Sequence, residues 1–262
     1  MAPPRRFRAV SLDLWFTAMY YVTDLDDRYR EDRLRALESL LKSGSGEELE
    51  PGDIETAVEA VHTELEIEGK NTGLVDPQEL VLLYAKKLGA GLTIPPDRAG
   101  QVYSAAGLQE HPPTINPELV GLVRALESRH LPVIAITNTA RRGESWQEFF
   151  LAQANLRFQH IIASCEVGWA KPDPEIFLEA SRRLGIPPTE ILHVGDRWEL
   201  DIDGALRAGC GAVLYRGLWP YYPQGMYSEL DPALLRDPSV LKIERLDELL
   251  SSDWLPEEGP HP

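Results

Sequence analysis

Five short apolar runs, at about residues 7 to 13, 132 to 137, 160 to 164, 190 to 195 and 211 to 215, punctuate this 262-residue chain, and after the first they are separated by stretches of helical periodicity. Alternation of this kind leaves few folds open: parallel strands joined by right-handed crossovers, with helices on both faces of the sheet. The helix candidates are Pro117 to Arg129, Glu144 to Asn155, Pro174 to Leu184 and Leu200 to Ala208. Asn116-Pro117 and Asp173-Pro174 are good starts, because a proline in the first turn gives up an N–H that has no helical partner there. Gly185 and Gly209 are matching stops. The expected fold is α/β, a doubly wound, Rossmann-like parallel sheet of five strands.

Residues 24 to 110 break the pattern. They are acidic and carry apolar residues at helical spacing: Leu34, Leu37, Leu40 and Leu41, then Ile54, Val58, Val61 and Leu65, then Leu80, Leu83, Tyr84 and Leu88. No strand signal of comparable strength occurs there, so the segment reads as a smaller all-helical unit inserted after the first strand. Gly44-Ser45-Gly46 and Gly89-Ala90-Gly91 read as turns between its helices, and His111-Pro112-Pro113 as a hinge-like return. The expected division is residues 1 to 23 with 111 to 262 as an α/β core, and 24 to 110 as the helical unit. Beyond the fifth run, the aromatic stretch around Trp219, Tyr221, Tyr222 and Tyr227 reads as a loop packed on the core, with a partner surface or part of a pocket rim as the alternatives. A last short helix is expected near Leu246 to Leu250, and disorder from Pro256 to Pro262.

A net charge of -16 and a pI near 4.8 argue against nucleic acid as a partner, because phosphate backbones require a basic face. Cys165 and Cys210 lie in or beside core strands and read as small buried hydrophobes. The basic N-terminus is followed by an apolar stretch broken by Arg8 and Asp13, so no signal peptide is expected, nor is any run long enough to span a membrane. The expected setting is cytoplasmic; nothing in the sequence speaks to oligomeric state.

The polar residues that end the apolar runs carry the chemistry. The first run ends in Asp13, with Thr17 four residues on; the second in Thr137-Asn138-Thr139; the third leads to Lys171-Pro172; the fourth ends in Gly195-Asp196, with Asp201 five residues on. Loops at the carboxyl ends of neighbouring strands converge on one crevice, so these residues can meet although far apart in the chain. Asp13, Asp196 and Asp201 would then present three hard oxygen ligands, a set that suits Mg2+.

In these four motifs, in this order, the chain resembles the haloacid dehalogenase superfamily over about residues 7 to 20 and 115 to 215. The resemblance implies Asp13 as nucleophile, Thr137 and Asn138 as donors to a substrate oxyanion, and Lys171 holding the Asp13 carboxylate and substrate charge together. It also implies Asp196 and Asp201 as metal ligands, with Asp13 and the backbone carbonyl of Trp15 completing the Mg2+ set. Residues 24 to 110 would be a cap that closes over the crevice and selects a small-molecule substrate. Trp15 departs from the pattern, since phosphatases of the superfamily usually carry there an Asp that serves as general acid and base. Phe16 stands where many members have Gly. Three readings stay open: a Mg2+-dependent phosphatase, a 2-haloacid dehalogenase-like hydrolase with Trp15 as an aromatic wall of the substrate site, and a non-catalytic binding protein. Under the second, Arg28, Arg30 or Arg33 would hold a carboxylate or halide, although arginines among Asp27, Glu31 and Asp32 more often form solvated helix pairs.

Overall fold

The computed structural model describes residues 7–21, 26–44, 49–70, 72–222 and 234–256. In chain order the elements are β1 (Ala9–Leu12), β2 (Met19–Tyr20), α1 (Asp26–Leu40), β3 (Leu41–Ser43), α2 (Pro51–Ile67), α3 (Pro77–Leu88), β4 (Ala90–Leu92) and α4 (Pro96–Ala105). There follow β5 (Thr114–Ile115), α5 (Leu119–Ser128), β6 (Val133–Thr137), α6 (Gly143–Ala154), β7 (Ile161–Ala163), α7 (Ser164–Val167), α8 (Pro174–Leu184), β8 (Ile191–Gly195), α9 (Asp203–Arg207), β9 (Gly211–Tyr215) and β10 (Leu241–Ile243).

The main sheet is parallel, in the order β10-β9-β8-β1-β6-β7. The five expected strands are all present, but the sheet has six, because β10 pairs along the outer edge of β9. Its Leu241-Lys242-Ile243 is too short for a periodicity to register, and an edge strand with a lysine between two apolar residues reads as loop. Every residue of β1, β6, β8 and β9 is buried, as strands covered on both faces must be. Their side chains alternate between two cores. Val10, Leu12, Val133, Ala135, Leu192 and Val194 pack on one face, and Ala9, Ile134, Ile136, Ile191, Ala212 and Leu214 on the other. Cys165 and Cys210 are both buried and reduced, as expected.

The inserted segment builds a third core of its own from Leu37, Ile54, Val58, Leu80, Tyr84, Tyr103 and neighbours. It is not all-helical. β3 pairs antiparallel with β4, Leu41 opposite Leu92 and Ser43 opposite Ala90, so Leu41 continues the apolar face of α1 as a strand residue. Gly89 makes the expected turn at φ 61°, in the left-handed conformation that closes α3, whereas Ala90 and Gly91 belong to the ribbon. Ser45 and Gly46 lie outside the described residues. The return after His111 is pinned: β5 pairs antiparallel with β2, and Tyr29 Oη donates to the His111 carbonyl at 2.9 Å.

Helix α8 has its expected bounds. The expected helix from Leu200 differs, since a π-helical turn over Trp198–Ile202 precedes α9. The last helix is 3-10, over Leu246–Ser251. Within the aromatic loop a 3-10 turn over Trp219–Tyr221 leads to Tyr222; Tyr227 and the chain beyond Pro256 lie outside the described residues. Among the described residues no helix is long and apolar enough to cross a membrane.

Candidate active site

The carboxyl ends of β1, β6 and β8 face one crevice, and there the acids meet. One carboxylate oxygen from each of Asp13, Asp196 and Asp201 lies within 4.8 Å of the other two, and all three side chains are buried. Asp13 follows the last residue of β1 and its N–H donates to the Val194 carbonyl at 2.9 Å, which locks it to the end of β8. Asp196 directly follows β8. Asp201 is turned inward by the π-helical turn: its N–H donates to the Arg197 carbonyl at 2.8 Å, and its Oδ2 accepts from the Arg197 N–H at 2.9 Å. Gly195 leaves no room for a side chain, since a Cβ there would sit 2.3 Å from the Asp201 carboxyl carbon.

Lys171 is the cation among them. Its Nζ donates to Asp13 Oδ1 at 2.5 Å and to Asp201 Oδ1 at 2.6 Å. Burial disfavours its charge, but the two carboxylates outweigh burial and hold it protonated above the usual lysine range. Burial also raises Asp13, against the pull of Lys171 and with a push from Asp201, to about 6. Asp196 is raised well above the usual range by burial and by the charges of Asp201 and Asp13. Burial opposes ionisation of Asp201 too, but there Lys171 and His193 win and its carboxyl stays below the usual range. Three acids against one lysine leave an excess of negative charge that a small divalent cation with a preference for hard oxygen ligands would neutralise.

His193 is the residue that sequence reasoning missed. Its Nε2 lies 3.2 Å from Asp201 Oδ1 and its Nδ1 2.9 Å from Ser11 Oγ, with its ring edge-on to Phe177. Burial lowers its pKa, so the neutral ring orients Asp201 from behind. A histidine inside an apolar run carries no sign of this; the signal was that Ser11 and His193 share a face of adjacent strands, which only the register reveals.

Asn138 stands in the site, but its amide is engaged with the Lys171 backbone: Nδ2 donates to the carbonyl at 2.8 Å and Oδ1 accepts the N–H at 2.7 Å. Thr137 Oγ1, a hydroxyl at the end of β6, is buried without a hydrogen-bond partner among the described residues. Trp15 lines a cavity of about 310 Å³ together with Asp13, Lys171, Asp196, Tyr21 and Tyr222. Its indole stands edge-on to Tyr21 (5.5 Å) and Trp146 (5.6 Å). Phe16 takes φ 55°, the conformation for which a glycine is usual, and its ring stacks on Tyr222 at 4.0 Å. Arg28, Arg30 and Arg33 do not line this cavity; Arg30 pairs with Glu55 and Glu59 on α2.

Residues 50–209 match the family model described as haloacid dehalogenase-like hydrolase. The chain is 28% identical over 225 residues to the glyceraldehyde 3-phosphate phosphatase of Methanopyrus kandleri, covering 84% of this chain and 87% of that relative. It is 33% identical over 132 residues to the phosphoserine phosphatase of Thermus thermophilus, 49% of this chain and 52% of that one. Among solved structures, a 2-haloacid dehalogenase from Pseudomonas syringae superposes over 93% of this chain and 96% of its own, with a TM-score of 0.55 at 22% identity, a likeness of fold. An acid-rich crevice at the carboxyl edge of a parallel sheet and a family match across most of both units agree, and the chain belongs to the haloacid dehalogenase-like hydrolases.

Proposed function

We propose that the protein is a Mg2+-dependent phosphatase of a small phosphorylated metabolite, working through an aspartyl-phosphate on Asp13. The observation that carries this reading is the cluster of Asp13, Asp196 and Asp201, which phosphoryl transfer needs and carbon–halogen hydrolysis in this family does not. Asp13, Asp196, Asp201 and the Trp15 carbonyl would hold the ion, which when bound neutralises charge on the transferring phosphoryl group. Lys171 keeps Asp13 ionised and aimed. A carboxylate oxygen of Asp13 attacks phosphorus, the bond to the leaving oxygen breaks, and that oxygen takes a proton from water. A second water attacks the phosphorus of the acyl phosphate, releasing inorganic phosphate and restoring Asp13. Thr137 Oγ1 serves as a donor to the phosphoryl oxygens. Asn138 acts through Lys171 rather than as a substrate ligand. Residues 24 to 110 form the cap that shapes the entrance.

Trp15 supplies no acid for the leaving group, a step worth roughly 10²- to 10⁴-fold. The substrates that fit are therefore phosphates with good leaving groups, acyl phosphates above all. The aromatic wall of Trp15, Phe16, Tyr21 and Tyr222 favours a second reading as a dehalogenase-like hydrolase. A panel of phosphate esters, acyl phosphates and 2-haloacids, each with Mg2+ and with chelator, separates the two. Chelator-sensitive phosphate release is the expected result. Chelator-resistant halide release would overturn it, and no turnover of any compound would point to a binding protein.

A further inference from the structure

A second cavity, of about 300 Å³, lies between α1, α2, α4 and the loop that follows β6. Arg33 and Arg141 line it, with Tyr29, Tyr103 and His62. Arg141 is only 3% exposed. Its Nη1 donates to the carbonyls of Ser104 (2.5 Å) and Ala106 (2.7 Å), while its Nη2 has no partner among the described residues. Arg33 Nη2 donates to the Ala140 carbonyl at 3.2 Å, and its buried Nε likewise has no partner among the described residues. Their guanidinium carbons lie over aromatic faces, Arg33 at 5.2 Å from the Tyr103 ring and Arg141 at 4.6 Å from the Tyr29 ring.

The acids near these two arginines form no ion pair with them among the described residues. Glu59, also on the cavity wall, pairs with Arg30 at 2.9 Å. Asp32 Oδ1 pairs with Arg35 at 3.0 Å, whereas its buried Oδ2 lies 3.5 Å from His111 Nε2 and forms no hydrogen bond among the described residues. His62 brings no charge, because burial and Arg33 lower its pKa, and its Nε2 lies 2.8 Å from Tyr84 Oη. Burial, reinforced by the nearby charge of Arg33, brings Arg141 down to about 9. A buried guanidinium with an unused N–H and no carboxylate partner stays uncompensated unless an anion completes it. Guanidinium forks match carboxylate and phosphate oxygens better than any other common ligand chemistry.

We propose that this cavity is an oxyanion site, taking a phosphate or carboxylate group between Arg33 and Arg141. It is distinct from the acid cluster at Asp13, and Tyr29 lines both cavities and stands between them. The anion is either a free small oxyanion or a second anionic group on the substrate of the neighbouring cavity.

Titration calorimetry of the full chain with inorganic phosphate, in chelator, tests the proposal without turnover. The metal-free acid cluster repels phosphate, so bound phosphate reports the arginine cavity. One saturable site is expected, weakened at least about tenfold by Arg33→Gln. Arg141→Lys should weaken it too, and Arg33→Gln keeps the test valid if the buried Arg141 variant does not fold. Absence of saturable binding to the folded protein, or unchanged binding by folded Arg33→Gln, would overturn the proposal and leave the chemistry at Asp13 untouched. The source follows from kinetics with Mg2+. If Arg33→Gln raises KM for phosphomonoesters that bear a carboxylate as a second anionic group but not for phenyl phosphate, the anion is part of the substrate. If it raises neither while wild-type phosphate binding stands, the anion is a separate ligand.

Discussion

The side-chain amide of Asn138 grips Lys171 by both polar groups of its backbone, donating at 2.8 Å and accepting at 2.7 Å across 33 residues of sequence. The loop after β6 thereby fixes the loop that carries the lysine, and the lysine fixes Asp13. Asn138→Ala is expected to cost about 1–3 kcal/mol, because the Lys171 backbone groups lose their partners in a half-buried place. It should also lower kcat by up to about 10²-fold through misplacement of Nζ, with a smaller change in KM. Thermal melts and steady-state kinetics check both. An unchanged kcat would mean that Lys171 is held by its ion pairs alone.

Asp13→Asn is expected to abolish turnover, since the amide has nearly the same shape and is a poor nucleophile. Asp196→Asn discriminates between the chemistries. It should weaken Mg2+ binding and phosphate release together, and leave halide release unaffected if that is the reaction instead. Calorimetry with Mg2+ alongside both assays reads the outcome.

Removing metal makes stability depend on pH in a direction opposite to that of most carboxylates. Burial, tempered by Lys171 and reinforced by Asp201, raises Asp13 from the usual 3.8 to about 6, and Asp196 is raised well above 3.8. A carboxyl whose folded pKa exceeds its unfolded one penalises the fold at high pH, and the penalty fades as pH falls through the folded value. Asp201, lowered instead, contributes stability that is lost only in stronger acid, below 3.8. In chelator, the Tm should therefore be higher near pH 5 than near pH 7.5, by on the order of 1–3 kcal/mol of stability. Asp13→Asn should raise the metal-free Tm near neutral pH and flatten that slope. A metal-free protein that loses stability from pH 7.5 to 5 would contradict the mutual repulsion of these acids.

Trp15→Asp should raise hydrolysis of simple phosphate monoesters with Mg2+, and the gain should grow as the leaving group becomes more basic, because the new carboxyl supplies the missing proton. The change gives up edge contacts with Tyr21 and Trp146, so a lower Tm is expected alongside. A folded variant with no gain on any phosphate ester counts against the phosphatase reading.

The five main strands and the residues at their carboxyl ends could be read from the chain, because buried parallel strands are continuous apolar runs and a polar residue ending one has few places to go. Asp13 and Asp196 were legible on those grounds, each directly following a strand, whereas Lys171, beyond α7, and Asp201, in the π-helical turn, were legible from the order of the four motifs. The edge strand β10 and the β3–β4 and β2–β5 ribbons were not, since two or three residues carry no measurable period and form only when a partner edge is presented. Side-chain partnership lay further out of reach. That Asn138 serves Lys171, that His193 stands behind Asp201 from within an apolar run, and that Arg33 and Arg141 meet across more than a hundred residues depend on strand register and on how the inserted helices sit over the loop after β6. Local sequence determines which residues are buried and where strands end; only long-range packing decides which buried polar groups find one another.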